Sequence, residues 1–423
     1  MARPLLPRYA LSSYFWRRSL AGGKIGRSLT SSSEQELVSF SRRFEAKIGG
    51  SSKWRKDYFA TLREWIVGET NHESVTDRLV TLACGGGPPA APHQTLALSQ
   101  LSGALGLHVA SLALEKQAWK QIVKKVSHRH PDDLLGWLQV TIYQGLLPEA
   151  MQAADKLRKA LTREEIGRYS YSDVFNYISV WSGEDSASFP LPHDSVTADW
   201  NRELNSRRVT IYGPGLVADG APGVPEDELV IRIAGPGSYE WTNPSDHAQG
   251  RTDIVYVIPE TLQNIGKNDE ERKQLFLRHR YICIKRGNAQ YLANSRRVET
   301  GSRLFLRGHP NVVPLICLDV LRVQGARVRV IGSDFFANSV AYREDSKRTV
   351  APGPAQNSAG ATGAQFDRST LLASHNAFQN RALVKNLVNA GRVEGDATFR
   401  SVVDLSEEQY ASRLDEIYGK SRT

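Results

Sequence analysis

One residue of a type that can move a proton is His375, in the run Ser374-His375-Asn376-Ala377-Phe378-Gln379 that leads into an aliphatic, Lys-bearing stretch through Leu387. Imidazole titrates near neutrality, so a His can take or give a proton at ordinary pH. The same residues equally suit a plain helix start with no catalytic part. A second feature is Gly213-Pro214-Gly215-Leu216-Val217-Ala218, directly after the apolar run Val209–Tyr212. Its glycine spacing matches a dinucleotide-binding turn, but such a turn must open a helix, and Asp219-Gly220-Ala221-Pro222-Gly223-Val224-Pro225 cannot be helical. The next apolar run ends Arg232-Ile233-Ala234, without the carboxylate that would hold a ribose. A nicotinamide or flavin oxidoreductase is therefore not expected. A Gly-rich turn at a strand end can still bring a nucleotide close to the backbone; a plain strand-to-helix connection is the other reading.

Asp334 follows the run Val328–Ile331, where an α/β protein keeps its site. It could orient an acceptor or His375, or cap the next helix. Cys84, Cys283 and Cys317 form no C-x-x-C pair. Three scattered thiols argue against a disulfide framework and a structural zinc site, and fit a reducing, cytoplasmic setting.

The elements that must position these residues can be read from periodicity. Residues 34–180 carry apolar side chains at helical spacing, as in Leu37, Phe40 and Phe44, or Tyr58, Leu62, Trp65 and Ile66. Within them, the stretch from His130 to Leu161, with Trp137, Tyr143, Gly145, Glu149, Ala150 and Ala154, resembles one tetratricopeptide-type helical hairpin. Residues 181–206 are polar and Pro-bearing, which suits a linker. Beyond them, runs at Val209–Tyr212, Leu229–Ile233, Ile254–Ile258, Tyr281–Ile284 and Val328–Ile331 alternate with helical stretches at about 260–278 and 310–324. Near-continuous apolar strands joined by helices predict an α/β domain over 207–420, with a parallel sheet covered on both faces. The low-complexity stretch 349–365 reads as an insert or an active-site lid, and 376–418 as mostly helical.

With 54 Lys+Arg against 45 Asp+Glu, the net charge of +9 favours an anionic partner. No nucleic-acid-binding module is recognisable, so nucleic acid is not the expected partner. Residues 1–33 hold Arg3, Arg8, Arg17, Arg18, Lys24 and Arg27 among aromatic and aliphatic residues, with no acid. They read as a flexible basic tail, a transit peptide or a peripheral contact with a membrane surface. No apolar run reaches the roughly 18 residues needed to span a bilayer.

The order of features over about 205–400 resembles the sialyltransferases. Arg208 to Gly215, Glu228 to Ile233 and then Gly250-Arg251-Thr252-Asp253 are similar to the large sialyl motif, which holds the cytidine nucleotide of the donor. His309-Pro310-Asn311-Val312-Val313-Pro314, leading to Gly325–Gly332, looks like the small sialyl motif. Ser374 to Leu387 resembles the very small motif, whose His is the catalytic base. Ala234 stands where the large motif has Asn, and Asn380 where an acid follows the motif's His.

The resemblance implies a Rossmann-like glycosyltransferase domain after an all-α region. Its donor would be a nucleotide sugar, CMP-linked as in the family, and its acceptor a saccharide or surface polymer. It assigns the nucleotide to Gly213, Pro214, Gly215, Arg232, Arg251 and Thr252. It gives His375 the role of base, to which the strand-end Asp334 adds a second catalytic candidate, and gives donor or acceptor contacts to His309, Asn311 and Tyr342, the last standing where the family has its His-Tyr motif. No D-x-D triplet occurs, which agrees with the metal-independent, cofactor-free transfer the family implies. The alternative is a non-catalytic scaffold built from a degenerate transferase domain and helical hairpins.

Overall fold

A computed structural model describes residues 34–48, 52–85, 91–124, 126, 130–168, 171–184, 195–213, 223–234, 251–257, 279–285, 294–298, 301–308, 310–337 and 375–419. The expected segment 1–33, the stretch 349–365, and Pro214, Gly215, His309 and Tyr342 lie outside them.

The N-terminal part is helical: α1 (Glu34–Lys47), α2 (Ser52–Ile66), α3 (His72–Cys84), α4 (Pro92–Ala104), α5 (His108–Lys124), α6 (Pro131–Gln144), α7 (Leu147–Ala160), α8 (Arg163–Arg168) and α9 (Ser172–Ser182). The α6–α7 pair is the expected hairpin. Pro131 opens α6, where a missing N–H costs nothing, and Gly145 closes it in the left-handed conformation at φ 73°. A helix, α10 (Ser195–Leu204), stands within the stretch expected as a linker. Its Trp200 is fully buried and meets Tyr281 edge-on at 5.3 Å.

The sheet is parallel throughout. Its strands are β1 (Arg208–Tyr212), β2 (Leu229–Ala234), β3 (Ile254–Val257), β4 (Tyr281–Lys285), β5 (Ser295–Val298), β6 (Arg327–Ile331) and β7 (Val393–Gly395), in the order β5-β4-β3-β2-β1-β6-β7. All five expected strands are present; β5 and β7 were not anticipated. The sheet grows outward from β1 to β5, then returns so that β6 lands on the other side of β1. Helices α11 (Val312–Leu321), α12 (Ala377–Asn389), α13 (Ala397–Val403) and α14 (Glu407–Tyr418) complete the C-terminal part.

Side chains alternate across each strand. Val209, Ile211, Leu229, Ile231, Ile254, Tyr256, Val328 and Val330 join one large core that also takes in Leu112 of α5, Leu135 of α6, Leu157 of α7 and Phe175 of α9. On the opposite face Thr210, Val230, Val255 and Ile282 are buried as well. Packing therefore crosses the 181–206 stretch. A second cluster, from Leu37 to Leu114, is confined to α1–α5, Ile48 just after α1 and the turn before α5.

Candidate functional site

In a parallel sheet every strand points the same way, and a crevice opens beyond the carboxyl ends where the strand order reverses. Here that place lies between β1 and β6. The Gly213 N–H donates to the Ile331 carbonyl at 2.7 Å, continuing the ladder past Tyr212. A Cβ on Gly213 would lie 2.5 Å from the Gly332 carbonyl oxygen and 2.9 Å from Ser333 Cβ. Only glycine lets the two chains close here. Gly332 (φ 63°) donates its N–H to Asp396 Oδ2 at 3.0 Å, and Asp396 also caps α13 through the Phe399 N–H at 2.9 Å.

Beyond Gly332 the chain makes a strained turn, Ser333–Ala337. Phe335 and Phe336 are both left-handed, with φ 44° and 70°, a conformation that costs a non-glycine residue about 1–3 kcal/mol. Asp334, 5% exposed, accepts the Phe336 N–H at 3.0 Å through Oδ1. The turn is held from one side by α14: the Tyr410 hydroxyl donates to the Phe335 carbonyl, the Tyr418 hydroxyl to the Phe336 carbonyl at 3.0 Å, and Arg413 Nε to the Ala337 carbonyl at 3.1 Å. Strain kept in place by several independent bonds, at a strand-order reversal, is the strongest local mark of a site.

Arg232 belongs to this edge. It is paired in register with Tyr212 and buried, with its guanidinium 5.5 Å from the Tyr212 ring centre. A helix feeding a parallel strand runs antiparallel to it, so the N-termini of α11 and α12 also come to the carboxyl edge. They touch: the Asn311 N–H donates to Asn380 Oδ1, while Asn311 Oδ1 accepts the Val312 N–H at 2.7 Å and caps α11. Asn380 Nδ2 donates to the carbonyls of His375 and, at 3.0 Å, Asn376. An ionised acid at position 380 could not make those donations.

His375 is half-buried at the start of α12, beside Asn376, which is left-handed at φ 40° and caps the helix by accepting the Gln379 N–H. Tyr410 joins the two groups of residues, since its ring meets Phe378 edge-on at 5.8 Å while its hydroxyl reaches the Phe335 carbonyl. His375, Asn311, Gly213, Arg232 and Asp334 therefore share one edge of the sheet, with the Tyr410 ring between the His375 helix and the Asp334 turn.

Arg251 and Thr252 do not belong there. They precede β3, at the amino edge, about five residues or roughly 16 Å along the strands from Gly213. Arg251 binds the Glu226 and Glu228 carbonyls, each at 2.7 Å, and pairs with Asp253 at 3.0 Å. The Thr252 carbonyl accepts from His279 Nδ1 at 3.1 Å. These contacts hold the start of β2 and β3, so the expected nucleotide role of Arg251 and Thr252 conflicts with a site at the carboxyl edge.

Sequence reasoning missed what anchors this edge. Glu115 of α5, fully buried, receives Arg307 Nε, the Tyr143 hydroxyl at 3.1 Å and Asn376 Nδ2 at 3.2 Å. One carboxylate from the helical part thus fixes both the loop entering α11 and the cap of α12. Its partners lie 16 to 261 residues away in sequence, so no local signal could reveal it. The two buried cysteines are not candidates: burial pushes Cys283 and Cys317 up to about 12, which leaves almost no thiolate at neutral pH.

Fold and site together define an α/β protein with an all-parallel seven-stranded sheet whose strand order reverses between β1 and β6, and a helical part packed into the same core. Compared with known proteins, the chain matches no family model, no curated protein and no solved structure.

Proposed function

We propose that this protein is a glycosyltransferase of Rossmann-like architecture, moving a sugar from a nucleotide donor to a saccharide or surface-polymer acceptor. The observation that carries this reading is the β1/β6 reversal, where a glycine-only approach at Gly213 adjoins the strained Ser333–Ala337 turn. Such a crevice suits a nucleotide against the backbone, with Arg232 a cation on the same edge. His375 acts as base on the acceptor hydroxyl, and Asp334 lies on the same edge. The sialyl-like motif order makes a CMP-linked sugar the first donor to try, and the basic 1–33 segment would bring the enzyme to an anionic membrane face on the cytoplasmic side. A second reading, a non-catalytic scaffold, is favoured by one observation: Arg251, a motif residue, is occupied in holding strand starts.

The test pairs nucleotide binding with one substitution. A thermal-shift screen of the whole chain with CMP, UMP, UDP, GDP and their sugars should find one ligand that stabilises it, by about 2.7 kcal/mol at 100 times its Kd. His375→Ala should keep that binding and lower transfer by roughly 10²–10⁴. Binding without transfer by the unsubstituted chain favours the scaffold. An unchanged rate in purified His375→Ala removes His375 as base, and failure of every nucleotide to stabilise the chain removes the transferase.

A further inference from the structure

The C-terminal helix α14 is gripped at two places. Tyr410, Arg413 and Tyr418 hold the Ser333–Ala337 turn at the carboxyl edge. From the same helix Asp415, 8% exposed, reaches the start of α5, where its carboxylate accepts the N–H groups of His108 and, at 3.1 Å, Val109. It is an N-terminal cap supplied from some 300 residues away, satisfying donors that a helix start leaves open. Two imidazoles flank that carboxylate. His108 Nδ1 lies 3.0 Å from Oδ1 in a fully packed setting, and His72 of α3 places Nε2 3.6 Å from Oδ2 and 3.3 Å from the Gly106 carbonyl. The His72 side chain is 27% exposed and the His108 side chain 3%, so water reaches only the first.

We propose that His72, Asp415 and His108 form a proton-operated latch: with a proton on its ring, His72 holds α14 against α3 and α5, and α14 in turn holds the Ser333–Ala337 turn in its left-handed form. The two grips lie within one rigid helix of twelve residues, about two of its turns from Tyr410 to Tyr418, so loosening at Asp415 reaches the tyrosines without any intermediate element. The remaining charges where α14 meets α5 are Lys116 against Glu407 and Glu408, and on α14 itself Arg413 against Glu416. Facing His72 are Asp415, the Gly106 carbonyl and the Trp65 ring, edge-on at 5.6 Å.

The direction follows from the partners. The Asp415 carboxylate beside it raises the His72 imidazole above its ordinary value, with partial burial opposing. Stabilisation from that proton is complete below the ordinary imidazole range and is lost as pH rises through the raised value. Burial works against ionisation of Asp415, but His108 and His72 hold its carboxyl below the usual range, so the cap itself fails only in acid. The latch opens on the alkaline side.

Amide hydrogen exchange of the full chain, corrected for the intrinsic effect of pH, reads both grips at once. Exchange in 410–418 and in 335–337 should become several-fold faster at pH 8.5 than at pH 6. His72→Gln, which keeps a hydrogen-bond donor on a half-exposed position but cannot titrate, should abolish that difference in both segments. Equal exchange at the two pH values in the unsubstituted chain would overturn the latch. So would a pH effect that survives in His72→Gln, or α14 loosening while 335–337 stay protected. An NMR titration of the His72 ring needs no folded variant: a midpoint at or below the ordinary imidazole value also overturns it.

Discussion

Several buried charges among the described residues are paired, Glu115 with Arg307 and Asp173 with Arg322 among them, and the Arg296–Asp319 pair is the sharpest case. Arg296 of β5 and Asp319 of α11 are each 2% exposed and bind through both guanidinium Nη atoms, one at 3.0 Å. The Tyr256 hydroxyl donates to the same carboxylate at 2.6 Å, and the guanidinium lies 4.2 Å from the Trp200 ring centre. Burial alone would neutralise Asp319, but the Arg296 guanidinium holds its carboxyl below the usual range. Removing one partner leaves the other as an uncompensated buried charge. Asp319→Ala should therefore destabilise the chain by about 3–5 kcal/mol, read as a lower urea midpoint with little change in slope. None of this was legible in the sequence, where Ser295-Arg296-Arg297-Val298 looks like a polar loop. His375 was legible as the start of a helix, and Gly213 as a turn; their neighbours Asn376 and Asn380 were not, because their roles are set by hydrogen bonds to α5 and α11.

At the scale of elements, strands announced themselves wherever both faces are buried. Val209–Tyr212 and Leu229–Ile233 are apolar because the large core takes one face and Thr210 and Val230 are buried on the other. The strands that escaped notice are β5, whose Arg296 is neutralised inside, and β7, which has only three residues. The left-handed backbone of the Ser333–Ala337 turn escaped for a different reason. Nothing in Asp334-Phe335-Phe336 signals left-handed backbone, since phenylalanine avoids it; the conformation is imposed by α14. Tyr410→Phe tests that dependence. It removes one hydroxyl and leaves the buried Phe335 carbonyl without its donor, which should cost about 1–3 kcal/mol. If α14 imposes the strain, the loss should also appear locally, as faster exchange in 335–337 than in β6. Uniform loss of protection across the C-terminal part would show instead that the hydroxyl contributes only global stability.

For the whole molecule, the question is whether the helical part and the sheet are separable. Composition suggested a break at 181–206, since polar, Pro-bearing sequence is what a linker looks like. The contacts run across it. Arg322 of the segment after α11 pairs with buried Asp173 of α9 at 2.9 Å, and Asp173 also accepts the Gly301 N–H at 2.9 Å. Gln139 of α6 donates to the carbonyls of Arg303 and Phe305, and the Tyr177 hydroxyl of α9 donates to the Leu383 carbonyl of α12 at 3.0 Å. Together with Glu115–Arg307 and Asp415–His108, these bonds place polar groups of one part deep inside the other. A fragment of residues 195–423 would strip Arg307 and Arg322 of their carboxylates and expose the apolar faces of α11 and α12 that meet α6 and α9. Hydrophobic surface of that extent favours association over folding. We therefore expect urea unfolding of the full chain to give one cooperative transition by tryptophan fluorescence and circular dichroism alike, and the 195–423 fragment to aggregate or to bind a hydrophobic dye without sharp near-ultraviolet dichroism. A soluble fragment with native-like dichroism, or two separated transitions in the full chain, would mean that the sheet domain stands alone and that the helices are an addition to it rather than part of its core.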